Sequence, residues 1–503
     1  MTKINILQIG ENDLSQIYSI PEHVDYDYND TLEGLDKSYD LCFLDRNITL
    51  EEYKILYKLM QAYRVFVFDD FERDKYTLKL IQSKMAYDMK KESFQSFLNN
   101  DSSLFFSYSY GEKFRREHLC ISRDFKGEVF WNGFQGVSLN GDYGADFYQI
   151  AYWKINIPIL ENQVLDFWLE YEKDDSVSIQ LQFDLFQSGS VVGQLDTFTF
   201  SEKDLENPVY IQNEHPNSVI FATILAKGKG NLKIVDLHDR HSRKEYGTFL
   251  PGGIRRVNSK REEAFFYFDP MDMKPPLSVY FSGYKTQEGF EGYNMMRRMG
   301  TPFLLISDSR LEGGAFYLGN QEYEKMIVDQ IQSCLDYLGF DSSQLILSGL
   351  SMGTFGSLYY GCFLKPHAIL LGKPLASLGN MAENERISRP GGFPTSLDIL
   401  SKNYGDLSQV SIQNLNQRFW DLFDSTDWSN TKFIISYMIE DDYDGDAYKR
   451  LIDHMDDIHV SIYGKGLHGR HNDNTYGIVE WFINQYHKVL KEDFNRNEGS
   501  EDA

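Results

Sequence analysis

The first hundred residues alternate short apolar runs with helical stretches. The runs INILQI, YDLCFLD (39–45) and YRVFVFDD (63–70) are typical of buried strands, and the stretch LEEYKILYKLMQAY between the last two has helical periodicity. This pattern predicts a small open α/β domain over residues 1–98, with a helical connector at 86–100. No glycine-rich dinucleotide-binding fingerprint follows the first strand, so no tightly bound cofactor is expected.

The pattern changes between residues 104 and 246, where aromatic residues are frequent and apolar and polar positions alternate. Segments such as LDFWLEYE and SIQLQFDLF are typical of antiparallel strands, which favours a jelly-roll-like, carbohydrate-binding-like β-sandwich. Exposed tryptophans could bind sugar there. Core packing is the more ordinary role for the three in this region, Trp131, Trp153 and Trp168.

Two histidines, His238 and His241, lie three residues apart in HDRHSR, which we interpret as a loop. A pair of histidines without a third ligand is weak evidence for a metal site. We therefore expect no bound metal ion.

From residue 250 onward, strands and helices alternate again. The apolar runs LSVYFSGY (277–284), FLLISD (303–308) and KFIISYMI (432–439) are separated by helical segments. This pattern predicts an α/β domain with a doubly wound parallel sheet over residues 250–490. The polar end of the chain, 491–503, is expected to be disordered.

The charge of the chain restricts its partners. Lys and Arg total 50 while Asp and Glu total 75, which gives a net charge of −25. Such a surface repels phosphate backbones and anionic headgroups at long range, so binding to nucleic acid or directly to lipid is not expected.

The cysteines and the apolar content indicate the compartment. Cys42, Cys120, Cys334 and Cys362 form no C-x-x-C pair, which indicates free thiols in a reducing environment. The chain has neither a signal-peptide pattern nor a run of 18 apolar residues. We expect a soluble cytoplasmic protein that is not an integral membrane protein.

The motif G-x-S-x-G appears as GLSMG at 349–353, directly after the apolar run QLILS. In a nucleophile elbow a strand turns sharply into a helix, and small residues two positions before and after the nucleophile prevent collisions. Gly349 and Gly353 occupy those positions. Because chance also supplies this motif, Ser351 is a strong candidate nucleophile only if an acid and a base follow it.

An acidic loop follows the late strand KFIISYMI, where an α/β-hydrolase carries its catalytic acid. The loop reads EDDYDGD, so Glu440, Asp441 and Asp442 are candidates, and Asp441 is favoured. The acid spacing also resembles a calcium loop, but Ala447 and Asp453 stand where an EF-hand requires Gly and Glu. A solvated acidic loop is the main alternative.

A histidine-containing loop, KGLHGRHND, follows the next strand, and either His468 or His471 could serve as the base. The oxyanion hole would use the backbone N–H of Met352, which follows the nucleophile. The second N–H would come from Tyr284 or its neighbour in SGYKTQEG. The chain order of serine, acid and histidine predicts acyl-transfer or ester-hydrolysis chemistry.

Longer stretches are far more specific than the elbow motif: VYFSGYKTQEGFEGYNMM, SDSRLEGGAFYLG, LSGLSMGTFGSLYYG, SYMIEDDYD and GKGLHGRHND. With a sandwich ahead of a hydrolase-type domain, they resemble the second of the three accessory secretory proteins of the Gram-positive accessory Sec system. The resemblance spans essentially the whole chain. It maps the family's catalytic triad onto Ser351, Asp441 and His471, although members can carry Glu as the acid, which leaves Glu440 and Asp442 open.

The resemblance implies a bifunctional protein. It would be a cytoplasmic O-acetyltransferase of the α/β-hydrolase type that modifies N-acetylglucosamine on serine-rich-repeat glycoprotein adhesins, and it would also support their export. Its partners would be the adhesin, the other two accessory secretory proteins, the accessory motor ATPase and the channel, which would bring it to the membrane surface. The sequence does not identify the acetyl donor, for which acetyl-CoA is one candidate. The alternatives are a carbohydrate acetyl esterase and a non-catalytic export scaffold.

Overall fold

Three large sheets organise the chain in the computed structural model, which describes residues 3–35, 37–114, 116–190, 193–456 and 460–496. A five-stranded sheet comes first, a ten-stranded sheet follows, and an eight-stranded sheet carries the C-terminal part. Apolar clusters line both faces of the first and third sheets, and one cluster fills the second. The chain is therefore a mixed α/β protein.

The N-terminal sheet is entirely parallel, with strand order 2-1-3-4-5. Its strands are β1 (Ile4–Ile9), β2 (Val24–Tyr28), β3 (Leu41–Leu44), β4 (Val65–Phe68) and β5 (Tyr87–Met89). Its helices are α1 (Leu50–Leu59), α2 (Lys75–Lys84) and α3 (Phe94–Asn100). The connector predicted as helical from residue 86 thus begins with an edge strand, because β5 pairs with β4 before α3 starts.

The ten strands of the middle sheet pair antiparallel throughout. They are β6 (Gly111–Lys113), β7 (Leu119–Ile121), β8 (Glu128–Trp131), β9 (Val137–Trp153), β10 (Ile157–Ile159), β11 (Val164–Lys173), β12 (Val177–Gln187), β13 (Gln194–Ser201), β14 (Val209–Gln212) and β15 (Ser218–His241). Alternate residues of β12 are buried, as the period-two pattern predicts. A short ribbon, β16 (Gly247–Thr248) and β17 (Leu250–Pro251), follows.

His238 and His241 lie on the long strand β15 and not in a loop, so the interpretation of HDRHSR was wrong. The strand continues to His241 because it has partners on both sides, with His238 opposite Trp168 of β11 and opposite Lys113 of β6. Alternation along the strand places His238 on the face opposite the core residue Leu237, and contact with Glu288 there leaves it 0% exposed.

The tryptophans of this sheet divide into two groups. Trp153 and Trp168 are each only 2% exposed, whereas Trp131 at the end of β8 is 42% exposed. Trp168 lies against the guanidinium groups of Arg255 and Arg261, at 4.0 and 3.9 Å from the ring centroid. Two of the three candidate sugar platforms are therefore core residues.

The C-terminal sheet has the spatial order β18-β19-β21-β20-β22-β23-β24-β25. Its strands are β18 (Ile254–Val257), β19 (Glu263–Asp269), β20 (Leu277–Phe281), β21 (Phe303–Asp308), β22 (Leu345–Leu350), β23 (Ala368–Gly372), β24 (Lys432–Met438) and β25 (Ser461–Leu467). β19 pairs antiparallel with both β18 and β21, and the other neighbouring strands of this sheet pair parallel. The run LSVYFSGY forms β20, which β18 and β19 precede along the chain.

The helices that cover this sheet are α4 (Tyr293–Arg298), α5 (Gln321–Leu338), α6 (Met352–Leu364), α7 (Leu378–Ile387), α8 (Thr395–Tyr404), α9 (Gln409–Asp424), α10 (Ala447–Met455) and α11 (Thr475–Phe494). The prediction of disorder from residue 491 was wrong for 491–496, because α11 continues to Phe494. Arg496 then donates from Nη2 to Asp272 at 3.0 Å and from Nε to the Pro275 carbonyl at 2.9 Å. The rest of that predicted tail, 497–503, lies outside the described residues.

All four cysteines are free thiols, and three of them, Cys42, Cys334 and Cys362, are buried. Across the described ranges, none of the helices combines the length and the apolar character needed to cross a bilayer.

Candidate active site

Ser351 occupies the turn between β22 and α6 with φ +52° and ψ −120°, a backbone conformation that a residue with a side chain rarely adopts. The flanking glycines are required sterically. A Cβ on Gly349 would lie 2.4 Å from the backbone of Gly353, and one on Gly353 would lie 2.0 Å from the Phe281 carbonyl oxygen. The Ser351 N–H donates to the Gly372 carbonyl at 2.8 Å, which fixes the apex against β23.

His471 lies in the loop between β25 and α11, and its Nε2 is 2.8 Å from Ser351 Oγ. Its Nδ1 is 2.7 Å from Asp441 Oδ2. Because a carboxylate can only accept, Nδ1 carries the proton and donates to Asp441, which leaves Nε2 free to accept the Ser351 hydroxyl proton. The structure thus brings serine, histidine and acid into one hydrogen-bonded chain.

The turn after β24 holds the Asp441 carboxylate in place. Its second oxygen, Oδ1, accepts the backbone N–H groups of Tyr443 at 2.8 Å and Asp444 at 3.2 Å. The Asp441 side chain is 5% exposed and that of His471 is 1% exposed. A hydrogen-bonded pair shielded from water keeps a fixed geometry, because little solvent competes for its hydrogen bonds.

The alternative acids and the alternative histidine lie elsewhere in the same loops. His468 is 84% exposed and pairs with Glu440 at 3.0 Å, away from the buried chain. Asp442 accepts the backbone N–H of His471 at 3.0 Å and the Arg389 Nε–H at 2.6 Å. Asp442 therefore supports the histidine loop, whereas Asp441 contacts the imidazole.

Burial lowers the pKa of His471, and the adjacent Asp441 carboxylate offsets this only in part. The ammonium of Lys373, a buried residue directly after β23, adds a further lowering. A base with a lowered pKa is neutral at physiological pH and can therefore accept a proton.

The oxyanion candidates lie at the same edge of the sheet as Ser351, because β20 and β22 are adjacent and parallel. Met352 is the first residue of α6, where N–H groups have no intrahelical acceptor. In the loop after β20, the Gly283 N–H is bonded to Glu291 Oε2 at 2.6 Å, and the Lys285 N–H is bonded to the Gly313 carbonyl at 3.2 Å. Tyr284 lies between these two anchored residues and stays the candidate for the second oxyanion donor.

Comparison with known proteins gives a consistent result over the whole chain. The family model described as accessory Sec system GspB-transporter matches residues 4–496. The chain belongs to this family, that of the second accessory secretory protein. An accessory Sec system protein of Staphylococcus aureus (strain NCTC 8325 / PS 47) is 38% identical over 519 residues and covers 99% of both chains. An accessory Sec system protein of Streptococcus gordonii is 37% identical and covers 98% of this chain and 99% of its own.

A solved structure is similar to this family member throughout its length. One chain of the Glycosylation Associate Protein (Gap123) complex from Streptococcus agalactiae superposes with a TM-score of 0.90 and 37% identity, covering 99% of each chain.

The segment SDSRLEGGAFYLG, already specific in the sequence, supports the loop 282–292 between β20 and α4, named the oxyanion loop after its candidate donor Tyr284. Asp308 is buried at the end of β21, where its Oδ2 accepts the N–H groups of Ala315 at 3.0 Å and Tyr317 at 2.9 Å. The Tyr317 hydroxyl donates to the Ser282 carbonyl at 2.6 Å. A structural role for this segment explains why it is distinctive although it supplies no member of the triad.

A buried charge network that no sequence motif indicated ties the oxyanion loop to the middle sheet. Glu288, six residues after Ser282, contacts His238 Nδ1 at 2.6 Å and accepts from Arg240 Nε at 2.8 Å. The backbone N–H of Glu288 also donates to the Gly111 carbonyl at 2.8 Å. Burial alone would raise the pKa of Glu288, but Arg240 and His238 hold it well below its ordinary range. No local pattern in HDRHSR indicated this pair, because burial does not alternate over residues 237–240, which are all buried.

The atoms of Glu170, His238 and Glu263 lie within 4.8 Å of one another, a spacing that a metal ion could use. Both oxygens of Glu263, however, accept from Arg240, at 2.9 and 2.6 Å. The Arg255 Nε–H donates to the same carboxylate. Because two guanidinium groups already neutralise Glu263, we interpret this cluster as an ion-pair network between the two sheets.

Proposed function

We propose that this accessory Sec family member is a serine O-acetyltransferase that acetylates N-acetylglucosamine on serine-rich-repeat glycoprotein adhesins and supports their export. The observation that carries the proposal is the continuous chain from Ser351 Oγ through His471 to Asp441, with distances of 2.8 and 2.7 Å, at a strained strand-to-helix turn. A serine is weakly nucleophilic unless such a base accepts its proton. We assign the catalytic domain to the α/β-hydrolase fold, as its strand and loop order suggests.

In the first half of the reaction, Ser351 Oγ attacks the carbonyl carbon of the acetyl donor while its proton passes to His471 Nε2. The negative charge on the carbonyl oxygen is stabilised by the N–H groups of Met352 and Tyr284. The tetrahedral intermediate then collapses, and His471 returns the proton to the leaving group. An acetyl ester on Ser351 remains.

In the second half, His471 takes the proton of a sugar hydroxyl, whose oxygen attacks the acetyl ester. Collapse of the second tetrahedral intermediate releases the O-acetylated sugar, and His471 returns the proton to Ser351 Oγ. Asp441 keeps Nδ1 protonated throughout and stabilises the imidazolium that forms in both halves.

Family membership supports a proposal for the cellular setting. The similar Streptococcus agalactiae chain comes from a complex of Glycosylation Associate Proteins. This supports assembly with the other two accessory secretory proteins. We place the protein in the cytoplasm, where the accessory motor ATPase and channel would bring it to the membrane.

Glycopeptide mass spectrometry of the adhesin tests the acetylation. Cells carrying Ser351→Ala should lose the O-acetyl groups, whereas the exposed-loop variant His468→Ala should keep them. A full acetyl load in the Ser351→Ala strain would refute the proposal. Adhesin export in the same strains separates the transport role, because a scaffold function would survive Ser351→Ala.

Hydrolysis by the same triad is the second candidate, since water can replace the sugar as the acceptor. Parallel measurement of free acetate and acetylated N-acetylglucosamine from one donor distinguishes the two. An excess of sugar product identifies a transferase, and release of acetate alone identifies a carbohydrate acetyl esterase.

A further inference from the structure

A cleft of about 360 Å³ lies between the middle sheet and the oxyanion loop. The middle sheet contributes the segment 112–118, Phe134 and Asp236, and the catalytic unit contributes Thr286 and Gln287 from the oxyanion loop together with Glu312. Its volume falls within the range of pockets that bind small ligands, roughly 300–1,000 Å³. Neither the triad nor the oxyanion donors line this cleft.

The cleft contains buried polar atoms without a protein partner. His118 Nδ1 and Asp236 Oδ2 are shielded from solvent, and neither has a hydrogen-bond partner among the described residues. Buried polar groups are nearly always paired, so this unused hydrogen-bonding capacity marks a polar region of the lining. These two residues come from different segments of the middle sheet and converge on one space.

The charges of the lining indicate the class of ligand. It carries four carboxylates and two permanent cations: Glu112, Glu117, Asp236, Glu312, Lys113 and Arg116. An excess of carboxylates repels phosphate groups, which argues against the phosphate-rich end of a coenzyme donor. Interleaved donors and acceptors suit hydroxyl groups, because each hydroxyl both donates and accepts.

An aromatic wall completes the lining. The Phe134 ring lies below the Arg116 guanidinium, 5.3 Å from its centroid. The Phe134 N–H donates to Asp398 of α8 at 2.9 Å, and Gln135 donates to Ser401 at 2.6 Å, so this wall is fixed to the catalytic unit. A fixed apolar ring beside polar groups can pack against the apolar face of a sugar ring.

The cleft adjoins the nucleophile through the oxyanion loop. A Cβ on Gly283 would lie 3.3 Å from the carbonyl oxygen of Leu350, the residue before Ser351. Thr286 is three residues further along the loop, so it lies within about 11 Å of Gly283. A ligand held in the cleft and extended along this loop would therefore reach toward the Ser351 acetyl ester.

We propose that this cleft is the acceptor subsite, which binds an uncharged chain of pyranose rings and presents one hydroxyl to Ser351. The assignment as acceptor rests on the proposed acyl transfer, whereas carbohydrate binding in the cleft does not depend on catalysis.

Binding is tested in Ser351→Ala protein titrated with chitotriose, the linear trimer of N-acetylglucosamine, by calorimetry and saturation-transfer NMR. We expect His118→Ala and Gln287→Ala, each added to that background, to weaken binding by roughly tenfold or more through lost hydrogen bonds. The matched controls are His215→Ala and Gln212→Ala, two exposed positions of the middle sheet outside the cleft, and they should bind like the parent. Gln287 is exposed, so its replacement does not threaten folding.

Two results would overturn the cleft assignment: absence of trimer binding in the parent, or unchanged binding in both cleft variants. Displacement of the trimer by coenzyme A would overturn its assignment as the acceptor side. Turnover of p-nitrophenyl acetate by the unmodified protein tests the proposed function separately. Trimer binding that depends on the cleft, together with absent ester turnover, would retain the binding site and reject the acyltransferase.

Discussion

Ser351 Oγ and His471 Nε2 lie 2.8 Å apart although 120 residues separate them along the chain. This contact forms because β22 and β25 both end at the same edge of the parallel sheet, with β23 and β24 between them. The loops after these strands therefore converge, and the proposed acyl-transfer chemistry depends on their relative position.

Replacing the proposed nucleophile should remove covalent turnover. We expect Ser351→Ala to lower kcat for p-nitrophenyl acetate by roughly 10,000-fold or more, because no other group can form the acetyl ester. Intact-protein mass spectrometry should also show loss of the acetylated intermediate. Residual turnover close to that of the unmodified protein would exclude Ser351 as the nucleophile.

The two histidines of the KGLHGRHND loop provide a matched pair. His471→Ala should reduce kcat by roughly 10,000-fold, since it removes the base. His468→Ala removes a largely exposed side chain whose ion pair with Glu440 contributes little, so turnover should stay within about twofold. Equal losses in the two variants would contradict the assignment of the base.

The acid can be tested in the same way. Asp441→Asn should lower kcat by roughly 10,000-fold, because an amide at this position favours the wrong imidazole tautomer. Glu440→Gln changes an acid whose partners are the exposed His468 and a loop N–H, so kcat should remain within about twofold. Steady-state kinetics on both variants would show whether the acid is Glu440 instead.

Activity should depend on pH through His471. Because burial lowers its pKa below the ordinary value of 6.5, we expect kcat/KM for the ester to rise with pH through a midpoint below 6.5. Lys373→Met removes a cation that disfavours the imidazolium, which should raise the pKa and move this limb to higher pH. Lys325→Met, on the exposed face of α5, is the control and should leave the profile unchanged. A shift toward lower pH in Lys373→Met would show that the sign is wrong.

The network that anchors the oxyanion loop should affect both stability and rate. Glu288→Gln removes one of the two buried carboxylates that pair with Arg240 and the carboxylate at His238 Nδ1, so the free energy of unfolding should fall by about 3 kcal/mol. In the fraction that remains folded, kcat should fall more than KM changes, because the loop carries an oxyanion donor. Denaturant unfolding and ester kinetics measure the two effects.

Asp329→Asn is the control for that experiment. It breaks the exposed pair between Asp329 and Lys325 on α5, which should cost no more than about 0.5 kcal/mol. A Glu288→Gln protein as stable and active as this control would show that the buried network does not position the loop.

Short-range sequence patterns predicted many of the strands and the tight turn at Ser351. The apolar runs predicted β1, β3 and β4 of the first sheet and β20, β21, β22 and β24 of the third, because a strand buried on both faces needs a continuous apolar segment. Period-two alternation predicted the antiparallel strands of the middle sheet. The glycines around Ser351 indicated a tight turn, since the close backbone approaches at Gly349 and Gly353 exclude side chains.

Only the tertiary structure decided which members of each loop meet. His468 and His471 are the same residue type and lie three positions apart in one loop. One is exposed, whereas the other lies beside Ser351. Glu288 resembles any loop acid until β15 brings His238 and Arg240 to it from another sheet. Contacts between residues distant in the chain depend on how the strands end and pack, and these long-range distances leave no periodic signal in the sequence.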